Sequence, residues 1–250
     1  MRRITWLGHA TVLLEVAGAR LLTDPLLRGH VAHLRRQAPR VGEGRSAVAI
    51  DPVDAVLISH VHHDHLDRPS LRRLARAETE VVAPRGAAPL LRGLRFGRIQ
   101  ELEAGARVAI RDVAVEAVPA WHRVQRFPGR TTHDALGYLV ERMWFAGDTD
   151  INPAMEALRG RVDVALLPIW GWGPTLGPGH LDPTSAAQVA ALVEPAVVVP
   201  IHWGTFLPIG MRRRHGAVLT GPPQLFAAQV ARRAPGVRVA TLAVGESLDM

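Results

Sequence analysis

Short apolar runs broken by glycine, proline or charge recur along this 250-residue chain and predict more strands than helices. Residues 4–7, 11–16 and 20–23 read as three strands with turns at Gly8-His9 and Ala17-Gly18, so a meander opens the fold. Periodicity then lapses over 28–51, which predicts a long loop suited to act as a lid. Strands are expected again at 55–58, 80–83, 98–102, 107–110, 113–118, 136–140, 142–146, 162–167 and 196–201. Helical spacing marks 69–76, 86–94, 153–158, 183–193 with Asp182 as its cap, and 222–233. Helix–strand alternations separated by antiparallel meanders fit an α/β protein built as a four-layer αββα sandwich.

With 48% hydrophobic residues the chain can bury a large core. Candidate ligands run from His60 to His202, so a cut between them would split the site, and one domain over 1–250 is expected. No apolar run reaches the ~18–20 residues of a membrane-spanning helix. The first residues enter a strand pattern at once, without a signal-peptide core, and a cytoplasmic protein is expected. The absence of Cys agrees and excludes thiolate ligands and a Cys nucleophile. All 30 basic residues are Arg, with a formal net charge of +7. That excludes lysine chemistry and mildly favours an anionic substrate, although a coding bias of a GC-rich bacterial source explains the same balance. Arg28, Arg35, Arg36, Arg40 and Arg45 make the 28–51 segment positive, as a lid or as a solvated surface.

The chemistry concentrates in His60-Val61-His62-His63-Asp64-His65, delivered by the apolar run 55–58. Imidazole nitrogen and carboxylate oxygen suit a divalent ion such as zinc. Four donors so close in sequence cannot all reach one ion without strain, so the loop reads as half of a two-metal site. Three later apolar runs lead to His122, Asp148 and His202, completing a set of five His and two Asp. Two divalent ions per chain are therefore expected, zinc first, with manganese or iron also suited to these donors. Such a pair, about 3.5–4 Å apart, makes hydroxide available as a nucleophile near neutral pH. Asp64 is a candidate acceptor of the water's proton as well as a ligand.

Other residues carry candidate supporting roles. Asp24 and Asp67 are the acids expected to fix ligand imidazole tautomers, although Asp24 also reads as a turn residue before Pro25. His180, between a Gly/Pro-rich stretch and a capped helix, is suited to bind a substrate oxygen or protonate a leaving group. His9 reads as lining the site floor or as a packing residue, and His63 as pointing away. Trp121, Trp170, Trp172 and Trp203 stand beside predicted site residues, as aromatic walls for a partly apolar substrate or as core. Arg123 and Arg126 follow His122, where they would meet a phosphate or form surface pairs.

Thr5-Trp-Leu-Gly-His-Ala-Thr-Val-Leu-Leu-Glu15, Leu22-Thr-Asp-Pro25, His65-Leu-Asp67, Ala146-Gly-Asp-Thr149, His180-Leu-Asp-Pro183 and Ile201-His-Trp-Gly-Thr-Phe206 occur in this order. The pattern resembles the metallo-β-lactamase fold superfamily, in the branch with Asp rather than Cys at the bridging position. Within it, the chain looks like the group of N-acylphosphatidylethanolamine-hydrolysing phospholipase D enzymes, with the ascorbate-6-phosphate lactonase group more distant. The resemblance implies that His60, His62 and His122 hold one ion, that Asp64, His65 and His202 hold the other, and that Asp148 bridges them. It also implies a substrate-contacting role for His180. The segment after His122 lacks the Leu-Trp pairing associated with the phospholipase group, which points to a soluble substrate.

The expected function is thus metal-dependent hydrolysis of a small anionic ester, a phosphodiester or a phosphorylated lactone. A nuclease is the alternative within catalysis. Arg212-Arg213-Arg214 is too short a run to grip a polymer, so no stable nucleic-acid binding is expected. A non-catalytic module with structural metal is the alternative of another class, disfavoured because seven ligands on two ions leave open positions. A homo-oligomer is compatible with all of these readings.

Overall fold

The computed structural model describes residues 2–39, 49–50, 52–125 and 132–250. Strands β1 (Arg2–Gly8), β2 (Thr11–Val16) and β3 (Ala19–Thr23) form the expected meander, followed by a small hairpin of β4 (His30–Val31) and β5 (Leu34–Arg36). Next come β6 (Ala55–Leu57), α1 (Arg68–Leu74), β7 (Glu80–Pro84), α2 (Ala88–Leu91) and β8 (Arg98–Leu102). A second meander comprises β9 (Arg107–Ile110), β10 (Val113–Gln125), β11 (Thr132–Val140) and β12 (Met143–Phe145). Then β13 (Val164–Pro168), α3 (Pro183–Val193), β14 (Val197–Ile201), β15 (Phe206–Pro208), α4 (Arg212–His215), α5 (Gly221–Arg233), β16 (Arg238–Val239) and β17 (Ser247–Asp249) complete the order.

Two seven-stranded sheets result, ordered β17-β1-β2-β3-β6-β7-β8 and β16-β14-β13-β12-β11-β10-β9. Each is antiparallel where hairpins connect its strands and parallel where helices cross over, as at β6–β7 and β13–β14. Strands such as β2 are apolar on both sides because both faces are covered. Leu14, Leu21 and Leu57 meet Tyr138, Phe145 and Val199 between the sheets. Leu13, Leu22 and Val56 face outward under Leu71 and Leu74 of α1. On the opposite outside, Trp144 and Val198 lie under Val189 of α3 and Phe226 of α5. The architecture is the αββα sandwich.

Asp182 caps α3 as expected: its carboxylate accepts from Thr184 N at 2.7 Å and Ser185 N at 2.8 Å, while Ser185 Oγ accepts from Asp182 N. Other expectations change. Residues 28–51 were expected to lack regular structure, yet β5 pairs with β15 to build a third, three-stranded sheet. Strands of two or three residues are too short to show alternation. Arg36, expected as loop charge, is buried, with its guanidinium over Phe206 and donating to the carbonyls of Leu7 and Leu26. The remainder of the lid reading, with Arg40 and Arg45, lies outside the described residues, as does Arg126. Residues 153–158 form a 3-10 helix capped by Asn152, and Arg212–Arg214 fall in α4 rather than a loop. β10 continues past Pro119, which pairs with Leu136, and slips register between Ala120 and Val124. Among the described residues no helix is long and apolar enough to cross a membrane.

Candidate metal centre

The local backbone explains how the predicted ligands converge. His60, His62, Asp64 and His65 follow β6, while Asp148 and His202 follow β12 and β14. His122 lies inside β10, at its register slip, rather than after a strand end; an irregularity of that kind re-aims one side chain out of the ladder. Gly147 has φ +63°, and a Cβ there would meet Ser59 Cβ at 2.8 Å and Leu136 O at 2.9 Å. Glycine therefore lets the Asp148 turn close against the His loop. His9, Asp24 and His202 also hold left-handed backbone, at φ 55°, 34° and 62°. Each costs about 1–2 kcal/mol outside glycine, although His and Asp tolerate this region better than most.

All seven predicted ligands come together. His62 Nδ1 is 3.0 Å from His60 Nε2 and 3.1 Å from His122 Nε2. His65 Nε2 is 3.2 Å from His202 Nε2 and 3.7 Å from Asp64 Oδ2. Asp148 lies beside this second group, with Oδ2 3.3 Å from His65 Nε2 and Oδ1 3.3 Å from His202 Nε2. Ligand atoms sharing one ion at about 2.0–2.1 Å fall at comparable mutual separations.

The surrounding hydrogen bonds assign the imidazole tautomers. His122 Nδ1–H donates to Gly179 O at 2.8 Å, and His202 Nδ1–H donates to Trp170 O at 2.8 Å. His65 Nδ1–H donates to Asp24 Oδ2 at 2.7 Å. Asp24 also accepts from Ser59 N and Ser59 Oγ, which leaves Ser59 Oγ to accept from His60 Nδ1–H at 3.0 Å. In the neutral rings, the Nε2 atoms of His60, His65, His122 and His202 therefore carry lone pairs toward the centre.

Electrostatics make the same demand. Burial, with repulsion from neighbouring imidazoles, lowers His62 to about 4; burial also lowers His202 to about 3, against the opposing pull of Asp148. His60 and His122 are lowered too, chiefly by burial. Burial would raise the Asp64 and Asp148 carboxyls, but nearby histidines outweigh it and hold both well below the usual range. His65 goes the other way: burial opposes its charge, yet Asp148, Asp64 and Asp24 raise it well above its ordinary value. Among the described residues Asp148 Oδ1 is buried without a hydrogen-bond donor. Neutral lone pairs facing each other and a carboxylate oxygen are repulsive unless a cation lies between them, so the donor set fits metal binding.

The supporting residues separate. His180 Nε2 is 3.6 Å from Asp148 Oδ2, while its Nδ1–H donates to Gly177 O. His9 is 1% exposed and absent from the cavity wall; it does not line a substrate floor. Instead its Nε2 is 3.0 Å from Asp64 Oδ2. Asp67 does not meet a ligand imidazole: its carboxylate accepts from Ser70 N and Ser70 Oγ at the start of α1 and from Arg28. Trp170 contributes its carbonyl to His202 rather than a ring to the cavity, its Nε1 being spent on Gly173 O. Arg123 is exposed and lies off the cavity wall. Trp203 stacks on Trp6 at 5.0 Å, and Trp121 is exposed.

A cavity of about 290 Å³ opens on His62, Asp64, Asp148 and His180. Trp172 is on its wall, and so is His63, expected to point away. Val31, Ala32, His33 and Leu34 complete it, residues that no sequence pattern singled out. Ser59 and the carbonyls of Gly179 and Trp170 were equally unforeseen; only the small residues beside the ligands hint at them.

Comparison with known proteins gives the family and the fold. The profile of the beta-lactamase superfamily domain matches residues 19–203. A UPF0173 metal-dependent hydrolase of Deinococcus radiodurans is 32% identical over 262 residues, covering 100% of each chain. A second, from Methanopyrus kandleri, is 31% identical over 257 residues and 99% of each chain. Igni18, a metallo hydrolase from Ignicoccus hospitalis, shares the fold at TM-score 0.72 and 20% identity, over 99% of this chain and 97% of that one. By the extent of these matches, the chain belongs to the UPF0173 metal-dependent hydrolase family of the metallo-β-lactamase superfamily.

Proposed function

We propose that the chain acts as one domain and as a dinuclear hydrolase of a small ester. His60, His62 and His122 would hold one ion, Asp64, His65 and His202 the other, and Asp148 would serve both. The observation that carries this reading is the pair of inward-facing nitrogen clusters beside the donor-less Asp148 Oδ1. When bound, two divalent ions supply a water of lowered pKa and polarise the attacked oxygen. Zinc leads among the candidates, and manganese or iron suits the same donors.

The chain's own groups do the rest. Asp24 holds His65 directly and His60 through Ser59, keeping their lone pairs toward the ions. Asp64, on the cavity wall, accepts the proton of the attacking water. His180 has its Nδ1–H spent on Gly177 O, so only Nε2 meets the substrate, binding its oxygen or, once protonated, passing a proton to the leaving group. Arg123 lies off the cavity wall, so the counter-charge for an anionic group at the scissile bond would have to come from the ions. The likeness to the phospholipase D and ascorbate-6-phosphate lactonase groups supports phosphodiesters and lactones as the first substrates to try. No observation favours a nuclease: the Arg212–Arg214 run of α4 does not line the cavity.

The test is metal content by elemental analysis, paired with hydrolysis of bis(p-nitrophenyl) phosphate and a lactone panel. Two ions per chain with turnover of either class is the expected result. No retained metal after reconstitution would overturn the ligand assignment, and retained metal with no turnover across the panels would favour a binding role.

A further inference from the structure

The wall of the candidate site is divided. At one end stand His62, Asp64, Asp148 and His180; at the other, Val31, Leu34 and Trp172. Val31 and Leu34 belong to a small hydrophobic cluster with Leu26 and Phe206, and Trp172 packs against it. This cluster is separate from the core between the sheets and from those under the helices. Val31 and Leu34 are each only 4% exposed, yet both line the cavity. The apolar end is therefore the open side of a packed cluster rather than a loose surface. Its frame is the three-stranded sheet, in which Leu34 pairs with Val31 across the hairpin and with Pro208 of β15. Trp172 is steadied by an edge-on contact with His33, ring centroids 5.0 Å apart at 81°.

Resting on the dinuclear reading above, we infer that the substrate carries a short apolar arm, alkyl or aryl, seated between the β4–β5 hairpin and Trp172 while its ester faces Asp148 and His180. A preformed apolar wall favours an apolar group because covering it removes surface from water without the cost of ordering a loop. The cavity, about 290 Å³, sits near the lower limit of the roughly 300–1,000 Å³ usual for small-molecule sites. Its size suits an arm of a few carbons, not a polymer or a long chain. The hairpin, which supplies no metal ligand, thus sets which ester the centre accepts.

Hydroxamates test this without requiring turnover, because the hydroxamate group binds metal and carries a side arm of chosen length. The affinities of aceto-, butano-, hexano- and benzohydroxamate for zinc-loaded protein are measured by calorimetry, in the wild type and in Trp172→Ala and His33→Ala. Both positions are at least partly exposed, so the variants should fold. Each methylene buried against the wall is expected to tighten binding by up to about fourfold. Hexanohydroxamate should exceed acetohydroxamate by at least roughly tenfold, and Trp172→Ala should flatten that gradient to below about threefold. His33→Ala should weaken it less. A flat series in the wild type, with acetohydroxamate still bound, would overturn the apolar arm and leave the metal centre standing. A gradient that persists in both variants would overturn its assignment to this wall. Failure of every hydroxamate to bind would overturn the metal reading itself, and the arm with it.

Discussion

His9 Nε2 stands 3.0 Å from Asp64 Oδ2, and the His9 ring lies 3.9 Å from that of His202. The His9 backbone is tied as firmly: its N–H donates to Thr205 Oγ1, and its carbonyl accepts from His202 N and from Trp6 Nε1. One buried histidine thereby orders two of the proposed ligands of the second ion. We predict that His9→Ala loses one ion to chelator at about 10- to 100-fold lower concentration than the wild type, in line with outer-shell partners elsewhere. His9→Gln, which keeps a donor, should recover part of the loss. Unchanged metal retention in His9→Ala would show that Asp64 needs no such support.

Asp24→Asn should affect metal binding more broadly. An amide nitrogen placed against His65 Nδ1 would turn the ring's proton toward the metal-facing Nε2, and the Ser59 relay to His60 would lose its acceptor. Competition against a chromophoric zinc chelator should report a fall in affinity of about 10- to 100-fold, with a native circular dichroism spectrum. Wild-type affinity would mean that the relay does not set the tautomers.

For His180→Ala the expectation is the reverse: metal content is retained and kcat falls by roughly 10²-fold or more. The readout is elemental analysis beside steady-state kinetics on whichever ester is turned over. Normal kinetics would remove His180 from the mechanism. Loss of metal would instead make it a ligand, as its 3.6 Å approach to Asp148 permits.

Asp163 gives a prediction remote from the centre. It accepts from Arg2 of β1 and from Arg142, each at 2.8 Å, and so links the two sheets. Burial would raise its carboxyl, but the two arginines outweigh that and lower it from about 3.8. Because the folded value is depressed, the stabilisation is full above the unfolded value and disappears as pH falls through the folded one. The carboxylate is about a third exposed, so Asp163→Asn should cost about 1 kcal/mol or less near pH 7. Urea unfolding should show that difference shrinking as pH falls below about 3.8, the ordinary value of the carboxyl. A difference independent of pH would assign it to packing.

The alternation of short apolar runs and the H-x-H-x-D-H loop determined much of this protein before any fold was drawn. Apolar strands with candidate ligands just beyond their ends, as after β6, β12 and β14, are local features, and burial on both faces of β2, β6 and β14 leaves a continuous apolar signal that can be read directly. The sandwich, and the seven side chains that the fold brings together, were legible for that reason. What only the tertiary structure decided depends on residues far apart in the chain. His9 meets Asp64 and Asp24 meets His65 across tens of residues, and the acceptors for His122 and His202 are backbone carbonyls, which no side-chain pattern marks. Asp67 carries the same acid chemistry as Asp24, yet the start of α1 and Arg28 claim it. The β4–β5 hairpin is too short for periodicity, and it became a wall only when β15 returned to pair with it. Sequence specifies which groups are available; packing decides which of them face one another.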